Sequence, residues 1–243
     1  MIKFFRKIRQ NLLSEGKTEK YLKYAVGEIM LVVIGILFAL QINNWNNQRI
    51  EKNSDYQLID ALITDLKLKN EEVLNDFDFG KSMIQNTENI IEYWTNTTKI
   101  DTLNLKYSID KLGTDSWFYN EKSPVLEGLT NSDLWKRLPG SLMRQIDDVY
   151  RIKLAIVKIS FEKSTEYATY CKLNFLIPNG LTNTKLNTMK IHSIVSENNK
   201  EFISNLEVFR SGVFRLNNSF ENASKNIIKL IENLNIYQSE IKK

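Results

Sequence analysis

One histidine and one cysteine serve 243 residues, and that scarcity removes whole classes of chemistry. With His192 alone, zinc clusters of histidine and cysteine, paired-imidazole mechanisms and the H-E-x-x-H pattern are excluded. Cys171 has no second cysteine to pair with, so no intrachain disulfide staples the fold. It is expected as a buried thiol on a long helix, against the alternatives of an intersubunit bridge or a nucleophile. His192 is expected in a loop, solvated or hydrogen-bonded. P-loop, G-x-G-x-x-G, G-x-S-x-G and EF-hand patterns are also missing. The adjacent carboxylates Glu71-Glu72 and Asp147-Asp148 point about 100° apart on a helix and do not converge as a catalytic pair or metal clamp. The expectation is no metal, no cofactor and no enzymatic activity. Three prolines and nine glycines leave few places to interrupt a helix and no obvious boundary within the last two hundred residues.

What the chain does contain is one long apolar run. From Ala25 to Ile42 the sequence reads AVGEIMLVVIGILFALQI, with only Glu28 and Gln41 polar. Tyr24 and Trp45 flank it as interfacial anchors, twenty-one residues apart. At helical rise that separation is about 32 Å, the thickness of a hydrocarbon core of roughly 30 Å edged by amphipathic rings. Ahead of the run, seven basic residues face two acidic ones, a net of +5 in a chain whose total is +4. This bias predicts a cytoplasmic N-terminus and an exported remainder. That remainder carries only −1, which argues against nucleic acid as a partner because no net positive charge is left to neutralise phosphates. A cleaved signal peptide is the competing reading, since the uninterrupted stretch Ile29 to Leu40 is twelve residues long. The long basic segment and the lack of an A-x-A site after Leu40 count against it.

The first fourteen residues, MIKFFRKIRQNLLS, set Ile2, Phe5, Ile8, Leu12 and Leu13 near one helical face, with Lys3, Arg6, Lys7 and Arg9 around the rest. That is the pattern of a helix lying in an anionic headgroup layer, an additional surface anchor. Gly16 is a break before the next helix. Inside the span, Glu28, Val32, Gly35 and Ala39 recur at spacings of four, three and four, placing them on one face with a small-xxx-small pair. Three readings of Glu28 stand open: snorkelling to the cytoplasmic headgroups, a helix-helix contact, or proton or ion conduction.

The opening MIKFFRKIRQNLLSEGKTEKYLKYAVGEIMLVVIGILFALQINNWNNQR resembles the start of an uncharacterised family of small bacterial single-span membrane proteins, a domain of unknown function. The likeness rests on the basic block, the GEI that begins the span and the QINNW that leaves it. It continues more loosely through VLEGLTNSDLW and LMRQIDDVYR. The resemblance implies a membrane location and a helical exported domain, and brings no reaction, cofactor or catalytic residue with it.

Beyond Trp45 the periodicity is helical. Ile59, Leu62, Leu66, Val73 and Phe77 form a stripe expected to pack within the same subunit, since Lys69 and Asp76 interrupt a heptad. Gly80 reads as a break or bend before Ile84, Ile91 and Trp94. Residues 96–121 read as irregular, with short strands at most around Ile100 to Tyr107; within them Trp117, Phe118 and Tyr119 are candidate partner-binding aromatics. Ser123-Pro124 is a helix start and Gly128 its stop, followed by a short helix near Asn131 to Leu138 and a Pro139-Gly140 turn with Ser141 as cap. A long helix from Ser141 to about Phe175 is expected to bury Leu142, Ile146, Val149, Ile156 and Ile159. Two more helices are expected, near Asn199 to Phe209 and from Asn217 to Gln238, with Phe220, Ile227, Ile231 and Leu234 inside.

The fold class expected is therefore all-α: a basic amphipathic cytoplasmic segment (1–24), a transmembrane helix (25–42) and a periplasmic helical bundle (43–243). The location expected is the bacterial inner membrane, single-pass. The expected partners are the lipid bilayer and another envelope protein or a second copy, with a scaffold or sensor role. The alternatives are a ligand-binding or enzymatic site near Trp117, Tyr119 or Asp148 formed only by the fold, and an accessory subunit acting through Glu28.

Overall fold

The computed structural model describes residues 18–95, 122–182, 185, 187–197 and 199–242. The amphipathic N-terminal segment, Gly16, and the stretch holding Trp117, Phe118 and Tyr119 lie outside the described residues. Every regular element among those described is helical. They are α1 (Thr18–Thr95), α2 (Pro124–Thr130), α3 (Asp133–Arg137), α4 (Gly140–Asp147), α5 (Leu154–Cys171), α6 (Thr188–Glu197) and α7 (Asn199–Lys242). Two π-helical stretches, Asp148–Lys153 and Lys172–Leu176, follow α4 and α5. All three prolines fall at borders: Pro124 opens α2, Pro139 precedes α4 and Pro178 follows the second π-helical stretch. Since proline can neither donate nor fit in a helix interior, their absence elsewhere lets α1 reach 78 residues and α7 44.

The chain divides into two compact units, Met1–Tyr56 and Gln57–Lys243. Among the described residues of the first, apolar side chains from Leu22 to Ile50 are exposed along the helix.

The second unit is a bundle of three long helical segments. The contacts Asp60–Gln238, Asn70–Ser224 and Glu88–Arg210 run α1 and α7 antiparallel. Tyr150 meets Asp65, and further along Tyr167 packs near Met83, so α4 and α5 run parallel to α1. The core follows the bundle in three clusters. The largest joins Ile59, Leu62, Leu66 and Val73 of α1 to Leu142, Ile146 and Val149, to Leu154 and Val157, and to Phe220, Ile227 and Leu234 of α7. A middle cluster holds Met83, Phe209 and Val213. The third stacks Phe175 on Phe202, centroids 4.6 Å apart, beside Ile90 and Leu206.

Several local expectations change. Gly80 does not break α1; it is buried inside the helix against Asn217. The two C-terminal helices, expected near Asn199 to Phe209 and from Asn217 to Gln238, are one; Gly212, between them in sequence, is where α7 passes close to Tyr167 and Ser164 of α5. Gly128 lies inside α2, which runs to Thr130 with Asn131 as its C-cap. Pro139, and not Ser141, precedes α4. His192 stands on helix α6. Ile156 and Ile159 point outward, 44% and 53% exposed. The π-helical stretch Asp148–Lys153 buries both Val149 and Tyr150, and the buried series continues from Tyr150 to Leu154 and Val157, one position later than undisturbed spacing from Val149 gives.

Candidate functional site: an uncovered apolar helix and the polar features of the bundle

Glu28, Val32, Gly35 and Ala39 all lie on α1, and 3.6 residues per turn puts them on one face. Val32, Gly35 and Ala39 are exposed and Glu28 is half-buried. A methyl group added at Gly35 would meet nothing within 4 Å, so this face is open. Tyr24 and Trp45, the expected anchors, are exposed at either end of the run. Among the described residues α1 is the one helix long and apolar enough to cross a membrane, and none of its 18-residue apolar window is buried. Such an exposed surface far exceeds the scattered apolar contacts a soluble helix leaves in water. The basic anchors Lys3, Arg6, Lys7 and Arg9 and the aromatics Trp117, Phe118 and Tyr119 lie outside the described residues.

In the bundle, one polar centre that sequence reading did not find joins three elements. Tyr150 Oη donates to Asp65 Oδ2 at 2.6 Å, and Ser123 Oγ donates to the same oxygen at 2.9 Å. Ser123 also caps α2, its Oγ accepting from Leu126 N at 3.2 Å. One turn along α1, buried Lys69 reaches the Lys122 carbonyl at 3.1 Å, which explains how a lysine can interrupt the apolar stripe: its stem packs inside while its amine keeps a partner. Burial, then the Asp65 hydrogen bond and charge, push the Tyr150 phenol well above its ordinary value. The centre clamps α2 and the first π-helical stretch onto α1. Eighty-five residues separate Asp65 from Tyr150, and no local pattern signals such a pairing.

A half-open groove of about 590 Å³ lies between α1 and α7. Phe77, Ile84 and Phe214 give it apolar walls; Lys81, Glu88, Arg210, Arg215 and Glu221 give it charge of both signs. Arg210 bridges Glu207 at 2.8 Å and Glu88 at 3.3 Å. The Glu207 and Glu88 carboxylates hold its guanidinium more firmly protonated than usual. Lys81 sits 4.2 Å from the centre of the Phe77 ring. The groove is not at Asp148, which pairs with Lys153 at 3.5 Å on the rim of the π-helical stretch.

Cys171 is buried, and burial pushes its thiol up to about 11. The exposed His192 ring packs 4.9 Å from Trp94 and meets Ser196 Oγ at 3.3 Å through Nδ1. Among the described residues no group of three or more histidine, cysteine, aspartate or glutamate side chains is arranged to hold a metal ion.

Comparison with known protein families, with curated proteins and with solved structures finds no match to this chain.

Proposed function

We propose that the chain is a single-pass membrane protein that holds a helical interaction module at the surface of a bacterial inner membrane, with its N-terminus cytoplasmic and its bundle periplasmic. One observation carries the reading: among the described residues, none of an 18-residue apolar window of α1 is buried. At about 25 cal/mol per Å² of apolar surface, leaving such a helix in water costs far more than lipid burial does. The +5 segment ahead of it supplies the orientation. The opening block, with its resemblance to single-span membrane proteins, agrees with both. An interaction role is favoured over catalysis because the bundle's polar groups Asp65, Tyr150 and Ser123 satisfy one another. The partner is another envelope protein or a second copy.

The test is extraction and topology together. The full chain is expected to resist alkaline carbonate, to retain its N-terminal residues, and to activate a C-terminal reporter that works only outside the cytosol. A mature product starting after Leu40 and free of membranes would overturn the anchor, and a reporter working only in the cytosol would overturn the orientation. Glu28→Gln is expected to leave localisation intact. Paired arginines at Ile34 and Leu37 are expected to abolish membrane retention while leaving the helical bundle folded by circular dichroism.

A further inference from the structure

The groove between α1 and α7 sets an exposed apolar wall beside a charge that the fold leaves unspent. Val213 and Leu216 carry core contacts of α7 at this level, and both are fully buried. Phe214, between them, turns the other way: it is 57% exposed and lines the groove with half-buried Phe77 and Ile84 of α1. Such a wall is surface that a bound apolar group would take out of water.

The charges around the wall are not alike. Glu88 is spent on Arg210, which Glu207 also holds. Glu221 is spent on Lys225 at 2.7 Å, and Lys225 foremost, with Lys81 adding to it, keeps that carboxyl below its ordinary range. Lys81 leans on the Phe77 ring and reaches Asp78 at 3.6 Å. Arg215 differs: among the described residues it has neither an ion pair nor a hydrogen bond. The two acids lining the groove thus have their cations, and the uncommitted charge beside the apolar wall is one guanidinium. A planar carboxylate matches its fork of donors.

Size narrows the ligand further. At roughly 30 Å³ per non-hydrogen atom, the share a water takes in the liquid, the groove of about 590 Å³ holds about twenty such atoms. That is one acyl chain with its head group, and too little for a phospholipid with two.

We propose that the groove binds a single-chain carboxylate amphiphile of fatty-acid size, its head group on Arg215 and its chain along Phe77, Ile84 and Phe214. The site goes beyond the interaction role and does not depend on the anchor, because every residue that builds it belongs to the second compact unit.

The test uses the full chain in phosphatidylcholine discs, with Cys171→Ala and an environment-sensitive fluorophore on Ser211→Cys at the groove. Dodecanoate is expected to give a saturable blue shift at one molecule per chain. The same label at Lys163→Cys, exposed on α5, is expected not to move, which separates the groove from uptake by the bilayer. Arg215→Gln and Phe214→Ser are each expected to weaken binding about tenfold, and dodecanol to bind about tenfold more weakly than dodecanoate. Arg151→Gln, at an exposed arginine outside the groove, is expected to leave binding unchanged. Because these positions are exposed, circular dichroism of each variant should match the parent. No shift at 211, an equal shift at 163, equal binding of dodecanol or dodecyltrimethylammonium, or full binding by Arg215→Gln or Phe214→Ser would overturn the proposal. A label that responds to the number of chains per disc and not to dodecanoate would give the groove to a second copy instead. Such results leave the membrane anchor standing, since carbonate extraction reads that separately.

Discussion

Asn217 of α7 occupies the space that a side chain at Gly80 of α1 would need: a Cβ built there falls on the Asn217 Oδ1 atom. The residue is 4% exposed, its Nδ2 donates to the Phe77 carbonyl at 3.2 Å, and its Oδ1 has no hydrogen-bond donor among the described residues. Gly80→Ala thus sets two effects against each other. Alanine gains about 1 kcal/mol of helix propensity. It also displaces the amide from its bond and crowds the contact, costing about 1–3 kcal/mol. The expected net result is destabilisation by about 1–2 kcal/mol, read from denaturant unfolding in detergent. In an Asn217→Ala background the obstacle is gone, and the same Gly80→Ala change should become neutral or stabilising. Equal effects in both backgrounds would sink this account.

That contact also shows where sequence reading reached its end. A glycine inside a helical pattern carries one signal for two causes, a break in the chain or a close approach of another helix. Gly80 and Gly212 both belong to the second kind, and only the partner side chains Asn217 and Tyr167 distinguish them. The stripe Ile59, Leu62, Leu66 and Val73 was legible because α1 keeps a constant period, and all four are buried. The apolar run was legible by composition alone. The Asp65–Tyr150–Ser123 centre was not, because its members are assembled from three elements with no shared periodicity.

The π-helical stretch gives a sharper contrast. Undisturbed α-helical spacing from Val149 puts Ile156 inside, whereas the structure buries Val157 completely and leaves Ile156 outside. Val157→Ala should therefore cost about 1–3 kcal/mol through lost burial and a residual cavity. Ile156→Ala should cost less than about 0.5 kcal/mol. A larger loss at Ile156 would mean that the helix runs through Asp148–Lys153 with undisturbed spacing.

Cys171 offers a kinetic check on the same helix. Its thiol lies between α5 and the second π-helical stretch, and burial raises it from 9.0 to about 11. Two units leave about a hundredfold less thiolate at neutral pH, and steric cover adds to that. Labelling by an aromatic disulfide reagent at pH 7.5 is expected to be at least about a hundredfold slower than in denatured protein. Labelling near the denatured rate would show that the α5 end of the bundle opens readily.

The Tyr150 phenol and Asp65 carboxylate make alkaline stability a direct readout of the polar centre. In the unfolded chain a tyrosine ionises near 10.0, while in the folded protein burial and Asp65 hold Tyr150 neutral to higher pH. Unfolding then releases a proton above pH 10, so the stabilising contribution is full below that pH and declines by about 1.4 kcal/mol per unit above it. Tyr150→Phe loses the 2.6 Å bond, which should cost about 1–2 kcal/mol near pH 7 and leave Ser123 to hold the carboxylate. It should also lose the alkaline decline. The two stability curves are therefore expected to lie apart at neutral pH and to converge above pH 10, with Cys171 contributing an earlier slope between 9.0 and about 11 common to both proteins. Parallel curves across that range would show that Tyr150 ionises as freely in the fold as outside it, and that the clamp between α2, the π-helical stretch and α1 is held by packing alone.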